Sequence, residues 1–422
     1  MAQPHRRLDD RDACFVPRID YGARPGDSCS GTEPLKSASR RLTLAAVFSS
    51  SLGVGLIFGF QPPLIAFVLS RAGSSSFAIG AVTASSLIAV ILLGPLYPYA
   101  IGHLGLKRSV IAGILCAVVI LLFMPFTSSV PVWLSLRFLT GCALGLTWVA
   151  SEVWMNTVSG AEERGAVMGI YGTVFSLGTI AGPTLLEFTG TRGWQPFAVG
   201  ATGLVVTLLP LALLRSAAGP SQAFTPLRGL GGAVRAAPLV MLAALVAGLV
   251  ESADLTLLPL FGLHAGFAER TALLLLTVFM AGNVVLQVPI GLLADRVGRR
   301  FMLGVCAGLS GVGPLLLQPF FGTPLLLWPL LFIWGGTLYA FYSQGVALMG
   351  AEFAEADLPA ANTLFVMVYC LGGVIGPSVG GFAMDRWPRH GLPVLLSGAA
   401  LLLVVGLVLP ARYSGPGDHH GT

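Results

Sequence analysis

A chain of 422 residues with 55% apolar side chains, 10% charged ones and a mean hydropathy of +0.82 excludes an ordinary soluble domain. The net charge of +5 does not point to nucleic acid, because the basic residues flank apolar segments, where they set topology. Apolar runs near 20 residues without strand alternation predict helical spans, since lipid offers open backbone no partner. The expected fold class is an all-α polytopic membrane protein with twelve transmembrane helices in two six-helix repeats.

Residues 1–41 carry arginines, prolines and glycines but no apolar h-region, so they read as a disordered cytoplasmic tail rather than a signal peptide. Apolar runs follow at 43–69, 77–101, 108–127, 131–152, 165–187 and 195–214, giving an N-terminal half over 42–214. A polar, Gly-rich linker over 215–236 precedes runs at 237–263, 271–294, 300–319, 324–350, 360–384 and 392–410. These form a C-terminal half over 237–410, with a tail over 411–422. With the N-terminus inside, 18 Lys and Arg fall on the cytoplasmic side and 5 on the other, which places both termini in the cytoplasm of a multi-pass plasma (inner) membrane protein.

The seventh run contains GLVESADLTLLPLFGLHAG, from Gly248 to Gly266, with Glu251 and Asp254 on one face of an apolar helix. An ionised acid at bilayer depth costs several kcal/mol, so such residues face a cavity or a partner. The functional reading is a proton or cation site; the other is a satisfied structural pair or a helix end near water. Shifting the chain by 193 residues lays GLIFGFQPPLIAFVLSRAG, Gly55 to Gly73, on this stretch without a gap. Phe58 then stands at the place of Glu251 and Gln61 at that of Asp254, so the acids are not part of the shared scaffold. Glu251, near mid-span, is the stronger candidate, and Asp254, a turn nearer the outer face, either shares the coupling or only hydrates the entrance. At a shift of 194, Gly141 falls on Gly335 and Gly182-Pro183 on Gly376-Pro377. Parallel repeats of this kind place a binding site between the halves near the bilayer midplane.

Between the eighth and ninth runs, Gly291, Asp295, Arg296, Gly298, Arg299 and Arg300 form a G-x-x-x-D-R-x-G-R-R loop. This loop closely resembles the signature of the major facilitator superfamily, in which it serves as a conformational latch. The first-half copy has Gly102 in place of the acid and Leu106 in place of one arginine, so the latch is expected to be asymmetric. Glu152, Glu352, Glu355 and Asp357 are candidate ion-pair partners of these loops. Arg137 and Gly141 resemble the family's R-x-x-x-G element of the fourth span, whose arginine faces the cavity and is linked to proton coupling. Snorkelling of Arg137 to the outer interface is the alternative. Gly178, Gly182 and Pro183 form half of an element associated with antiporters, which breaks off at Leu186 and Glu187. Gly372, Gly376, Pro377, Gly380 and Gly381 keep all of it. Small residues and a Pro at this spacing read as a helix-packing hinge.

The resemblance implies a rocker-switch carrier whose first, fourth, seventh and tenth spans line the cavity. It would place Phe58, Gln61, Arg137, Trp148, Glu251, Asp254, Tyr339, Tyr342 and Gln344 there. The expected activity is secondary active transport of a small organic solute coupled to protons through Glu251 or Asp254, with Arg137 as counter-charge. Export by antiport is favoured over symport of a sugar, amino acid or organic acid; a transport-dead sensor is the remote alternative. H-E-x-x-H, G-x-G-D and nucleotide-loop motifs are absent, and the six cysteines lack C-x-x-C spacing, so no enzyme, metal or cofactor is expected. The expected partners are the solute, protons and the bilayer, without nucleic acid, and the protein is expected to be a monomer.

Overall fold

The computed structural model describes residues 33–159, 163–214, 237–353 and 358–408. Within them lie twelve helices long and apolar enough to cross a membrane. In the first half these are α1 (Arg40–Arg71), α2 (Ser76–Leu104), α3 (Leu106–Phe126), α4 (Val130–Val158), α5 (Val167–Thr189) and α6 (Gln195–Leu213). In the second they are α7 (Pro238–His264), α8 (Glu269–Val297), α9 (Arg299–Phe320), α10 (Pro324–Gly350), α11 (Ala361–Arg386) and α12 (Gly391–Val408).

The first span differs from expectation at its start. Its helix begins at Glu33, inside the segment read as disordered, because Pro34 fits a first helical turn and no breaker follows through Arg41. A 3₁₀ turn at Gly94–Leu96, with Pro95 in it, interrupts α2, and α6 breaks at Leu208 ahead of Pro210. The linker, the rest of the N-terminal tail and the C-terminal tail lie outside the described residues.

The two halves repeat one packing scheme. In each, the first helix lies along the fifth (α1 on α5, α7 on α11) and the second along the fourth (α2 on α4, α8 on α10). The contacts superpose residue by residue. Gly141 meets the Ser86 carbonyl and Gly335 meets the Phe279 carbonyl, and these pairs correspond under the repeat. Gly178 and Gly182 pack on the α1 backbone, and Gly372 and Gly376 on that of α7, so close that a Cβ would run into a carbonyl or backbone atom. Gly178, Gly182, Gly372 and Gly376 therefore pack within their own halves. Pro377 and Gly381 instead touch α2 of the other half, through Gly80 and Ser76.

Across the halves, α2 packs on α11, α5 on α8 and α1 on α7. Polar contacts between the halves gather at the end of the bundle far from the termini. The Asp385 carboxylate at the end of α11 accepts the backbone N–H of Ser76 at 2.8 Å and of Phe77 at 2.9 Å, both at the start of α2. Glu269, at the start of α8, accepts Arg71 Nη1 at 2.9 Å and the Thr191 hydroxyl at 2.7 Å, with Arg192 at 3.6 Å. Ser76 corresponds to Glu269 and Asp385 to Thr191, so both seams carry a polar clasp at the same level. Glu187, which could have been merely solvated, accepts the Thr277 hydroxyl across the same seam.

Candidate functional site

Glu251 stands midway along α7 and is only 9% exposed. Its Oε2 accepts the Tyr369 hydroxyl of α11 at 2.8 Å. The close approach of Gly248 to the Tyr369 carbonyl holds the two helices near enough for this bond. In the first half the same places are taken by Phe58 and Phe175, whose rings lie 5.7 Å apart. Trp148 stacks on Phe175 at 6.3 Å, and its counterpart Tyr342 meets Tyr369 at 5.3 Å. The fold thus builds one three-residue cluster twice, as Phe58–Trp148–Phe175 and as Glu251–Tyr342–Tyr369. Only the second is polar. Sequence reading missed Tyr369 and Phe175, although the same shift of 194 that pairs Gly182 with Gly376 pairs them too.

Arg137 does not snorkel: it is 6% exposed, inside its own half. Its guanidinium donates to the Gln61 side-chain oxygen and to the Ser86 hydroxyl, the latter at 2.9 Å. The structure does not bring Arg137 to Glu251 or Asp254 as a counter-charge in this conformation. Gln61, 1% exposed, is turned into this node rather than lining a cavity, because it supplies the acceptor that the buried guanidinium requires. The corresponding place in the second half holds Asp254, while Leu331 and Phe279 replace Arg137 and Ser86. Asp254 is 0% exposed and neither carboxyl oxygen has a hydrogen-bond partner among the described residues. It does not hydrate an entrance; it is an acid sealed in a place the repeat has made apolar. An ionised, unpartnered carboxylate there would cost several kcal/mol, so the neutral acid is the form this packing accommodates.

Tyr339 and Tyr342 of α10 are half-buried, with rings 6.0 Å apart, and Phe365 meets Tyr342 at 5.3 Å. Gln344 is 4% exposed and sits two positions past Tyr342, on a different face of the helix. Glu152, considered as a partner of the latch loops, is instead bound one turn away in its own helix: Trp148 Nε1 donates to it at 2.6 Å.

At the termini end, Asp295 accepts Arg299 at 2.9 Å within its own turn, and Arg300 reaches Glu352 at 2.9 Å. Gly298 supplies the turn with a φ of +97°, as Gly105 does in the first half with +79°. Gly291 and Arg296 flank this turn on the last stretch of α8. These latch contacts stay inside the second half and do not bridge the halves in this conformation. Glu355 and Asp357 lie outside the described residues.

The model of a family described as Major Facilitator Superfamily matches residues 43–276 and 240–421. The chain is similar to the uncharacterized MFS-type transporter YfkF of Bacillus subtilis (strain 168), with 26% identity over 83% of this chain and 92% of that one. It is also similar to the uncharacterized MFS-type transporter YcaD of Escherichia fergusonii, with 24% identity over 68% of this chain and 75% of that one. Among solved structures, a nucleoside transporter, NupG, superposes with a TM-score of 0.71 at 16% identity, covering 87% of this chain and 98% of that one. A D-xylose-proton symporter does so with 0.71 at 16%, covering 86% and 97%. At such identities these superpositions speak for the fold alone.

Proposed function

Because the chain belongs to the major facilitator superfamily and is a multi-pass membrane transporter, we propose that it is a proton-coupled secondary carrier of a small organic solute in which Glu251 is the coupling group. The observation that carries this reading is the replacement, at one of two equivalent clusters, of the Phe58–Phe175 ring pair by a hydrogen-bonded Glu251–Tyr369 pair. A scaffold that needed only packing would have kept both clusters aromatic. A carboxyl in that position must hold a proton or a cation to avoid an uncompensated charge, so the two compete for one group. Competition of this kind is the physical basis of antiport: the solute leaves when the proton arrives. Export is therefore the favoured direction.

With the termini in the cytoplasm, the clasped far end is the outer end, and this conformation is closed to the outside. Opening outward would break the Asp385 and Glu269 contacts, and the Asp295–Arg300 latch would then have to find partners across the opposite end. Asp254 completes the coupling machinery as a second acid, held neutral while the outer end is closed. Arg137 fixes the first half through Gln61 and Ser86 and leaves the acids to the second.

The test is proton-gradient-driven movement of solute in proteoliposomes. Glu251→Gln is expected to abolish gradient-driven accumulation while leaving solute exchange at equal pH. If Glu251→Gln and Asp254→Asn both keep gradient-driven transport, the proposal is wrong. Import by symport is the second reading; solute moving with protons rather than against them would establish it.

A further inference from the structure

We propose that a cavity in the first half, at the end of the bundle far from the termini, binds the phosphodiester headgroup of an anionic phospholipid from the leaflet at that end.

The cavity, of about 340 Å³, lies where the ends of α1 and α3 meet the turn between α5 and α6, and Val68, Arg71, Phe126, Thr127, Arg192 and Trp194 stand in its wall. Its size falls within the range of small-ligand sites, roughly 300–1,000 Å³. The repeat shows that the scaffold does not need this space. Under the shifts of 193 and 194, Val68 corresponds to Phe261, Ser74 to Phe267 and Thr127 to Phe321. In the second half these three rings pack on one another, Phe321 lying 5.8 Å from Phe261 and 5.1 Å from Phe267. Smaller residues stand at all three places in the first half, and the space is left open.

The open space is also basic. Arg71 is fixed in the wall: it donates to the Thr191 hydroxyl at 2.8 Å, to the Thr191 carbonyl, and to Glu269 at 2.9 Å. Arg192 is 80% exposed and only 3.6 Å from the same carboxylate. One carboxylate therefore faces two guanidinium groups, which leaves one positive charge beside the cavity. The second-half counterpart of Arg192 is Arg386, which lies over the ring of Trp387 at 5.6 Å. Gly193 takes the place of that tryptophan, so no neighbouring ring holds Arg192. A single positive charge matches the single negative charge of a phosphodiester, and the planar fork of a guanidinium suits two phosphate oxygens.

Two features select a lipid over a soluble phosphate ester. Phe126 and Trp194 are 84% and 68% exposed at the rim, at the level where the spans end, as aromatic residues are at a membrane interface. From the rim, α3 exposes Phe123, Leu122, Val119 and Leu115 down one face. An acyl chain laid on that face would start where its headgroup enters the cavity. A soluble ester would gain nothing from it.

The experiment is native mass spectrometry of the full-length protein in detergent, titrated with three probes. Dioleoylphosphatidylglycerol carries the anionic phosphodiester on acyl chains, dioleoylphosphatidylcholine cancels that charge with its choline, and glycerophosphoglycerol carries the diester without chains. Wild type is expected to take up its first phosphatidylglycerol about tenfold tighter than phosphatidylcholine and to retain no glycerophosphoglycerol at the same concentration. Arg192→Gln is expected to lose about tenfold in phosphatidylglycerol affinity, with phosphatidylcholine unchanged. Thr127→Phe restores the ring that the second half carries, alters no charge, and is expected to lose as much. Arg389→Gln, exposed at the same end of the other half, is expected to keep the preference. Equal uptake of the two lipids by wild type overturns the proposal, as does an unchanged preference in Arg192→Gln or Thr127→Phe protein that elutes and melts like wild type. An equal loss in Arg389→Gln overturns it too, because the preference would then belong to the basic surface at large. Retention of glycerophosphoglycerol as tight as that of the lipid refutes the lipid as occupant. Should one of the two cavity variants not be recovered folded, the other decides.

Discussion

Replacing Asp254 with Leu should make the protein more stable and less functional. The two side chains share the same heavy-atom branching, so the substitution exchanges two oxygens for two methyl groups with modest strain. Asp254 is 0% exposed, and both oxygens lack hydrogen-bond partners among the described residues. A buried polar group left unmatched costs about 1–3 kcal/mol, which the substitution removes. Crowding by the bulkier methyl groups takes back part of this, leaving a net gain of about 1–2 kcal/mol. For a six-helix half, treated as a cooperative unit of 150–250 residues, each kcal/mol is worth about 2–4 °C, so the melting midpoint should rise by about 2–8 °C. The assay is intrinsic-fluorescence melting of the full chain in detergent, run beside Asp254→Asn, which keeps polar atoms in place and should gain less. Gradient-driven transport should fall in both. A midpoint that drops by a comparable amount for Asp254→Leu would refute the reasoning, because it would mean that the carboxyl is a satisfied structural group.

The far-end clasps and the tight helix seams give further predictions. Glu269→Gln removes the anchor of Arg71 and the charge facing Arg192; a partly exposed ion pair is worth about 1 kcal/mol, so the open-outside population should grow about fivefold. Spin labels at Phe188 and Trp387, exposed on different halves at that end, should report a longer and broader distance, and an unchanged distribution would remove Glu269 from the gate. Asp385→Asn should act in the same direction on the α2 seam, since it weakens the charge-assisted acceptor of two backbone donors. Gly248→Ala drives a Cβ into the Tyr369 carbonyl, which cannot move without shifting α11. We expect a loss of about 1–3 kcal/mol in stability together with weakened proton coupling, measured by size-exclusion yield and by transport, because the same shift pulls the Tyr369 hydroxyl from Glu251.

Two corrections mark the boundary between sequence and structure. Gln61 and Asp254 occupy equivalent places and both read as cavity-lining, yet in this conformation Gln61 turns to satisfy Arg137 and Asp254 is sealed without a hydrogen-bond partner among the described residues. Glu152 reads as a loop partner from its position near a helix end, but the indole one turn away claims it. In each case the residue's level along the helix was legible and its direction around the helix was not. A helix that is apolar nearly all round carries no polar stripe by which to orient it.

What the sequence by itself determined is the part enforced by lipid and by duplication. Twelve spans follow from hydropathy, six plus six from the repeat, and the family from the Asp295–Arg300 loop and the Gly-Pro elements, because each is a pattern along the chain. Only the tertiary structure decided that Tyr369 is the partner of Glu251, that Asp254 has no hydrogen-bond partner among the described residues, and that Asp385 and Glu269 join the halves at the end away from the termini. Those facts depend on which faces of α1, α2, α5, α7, α8 and α11 meet, and that is set by the close approach of glycine-bearing backbones across 100 residues or more of chain.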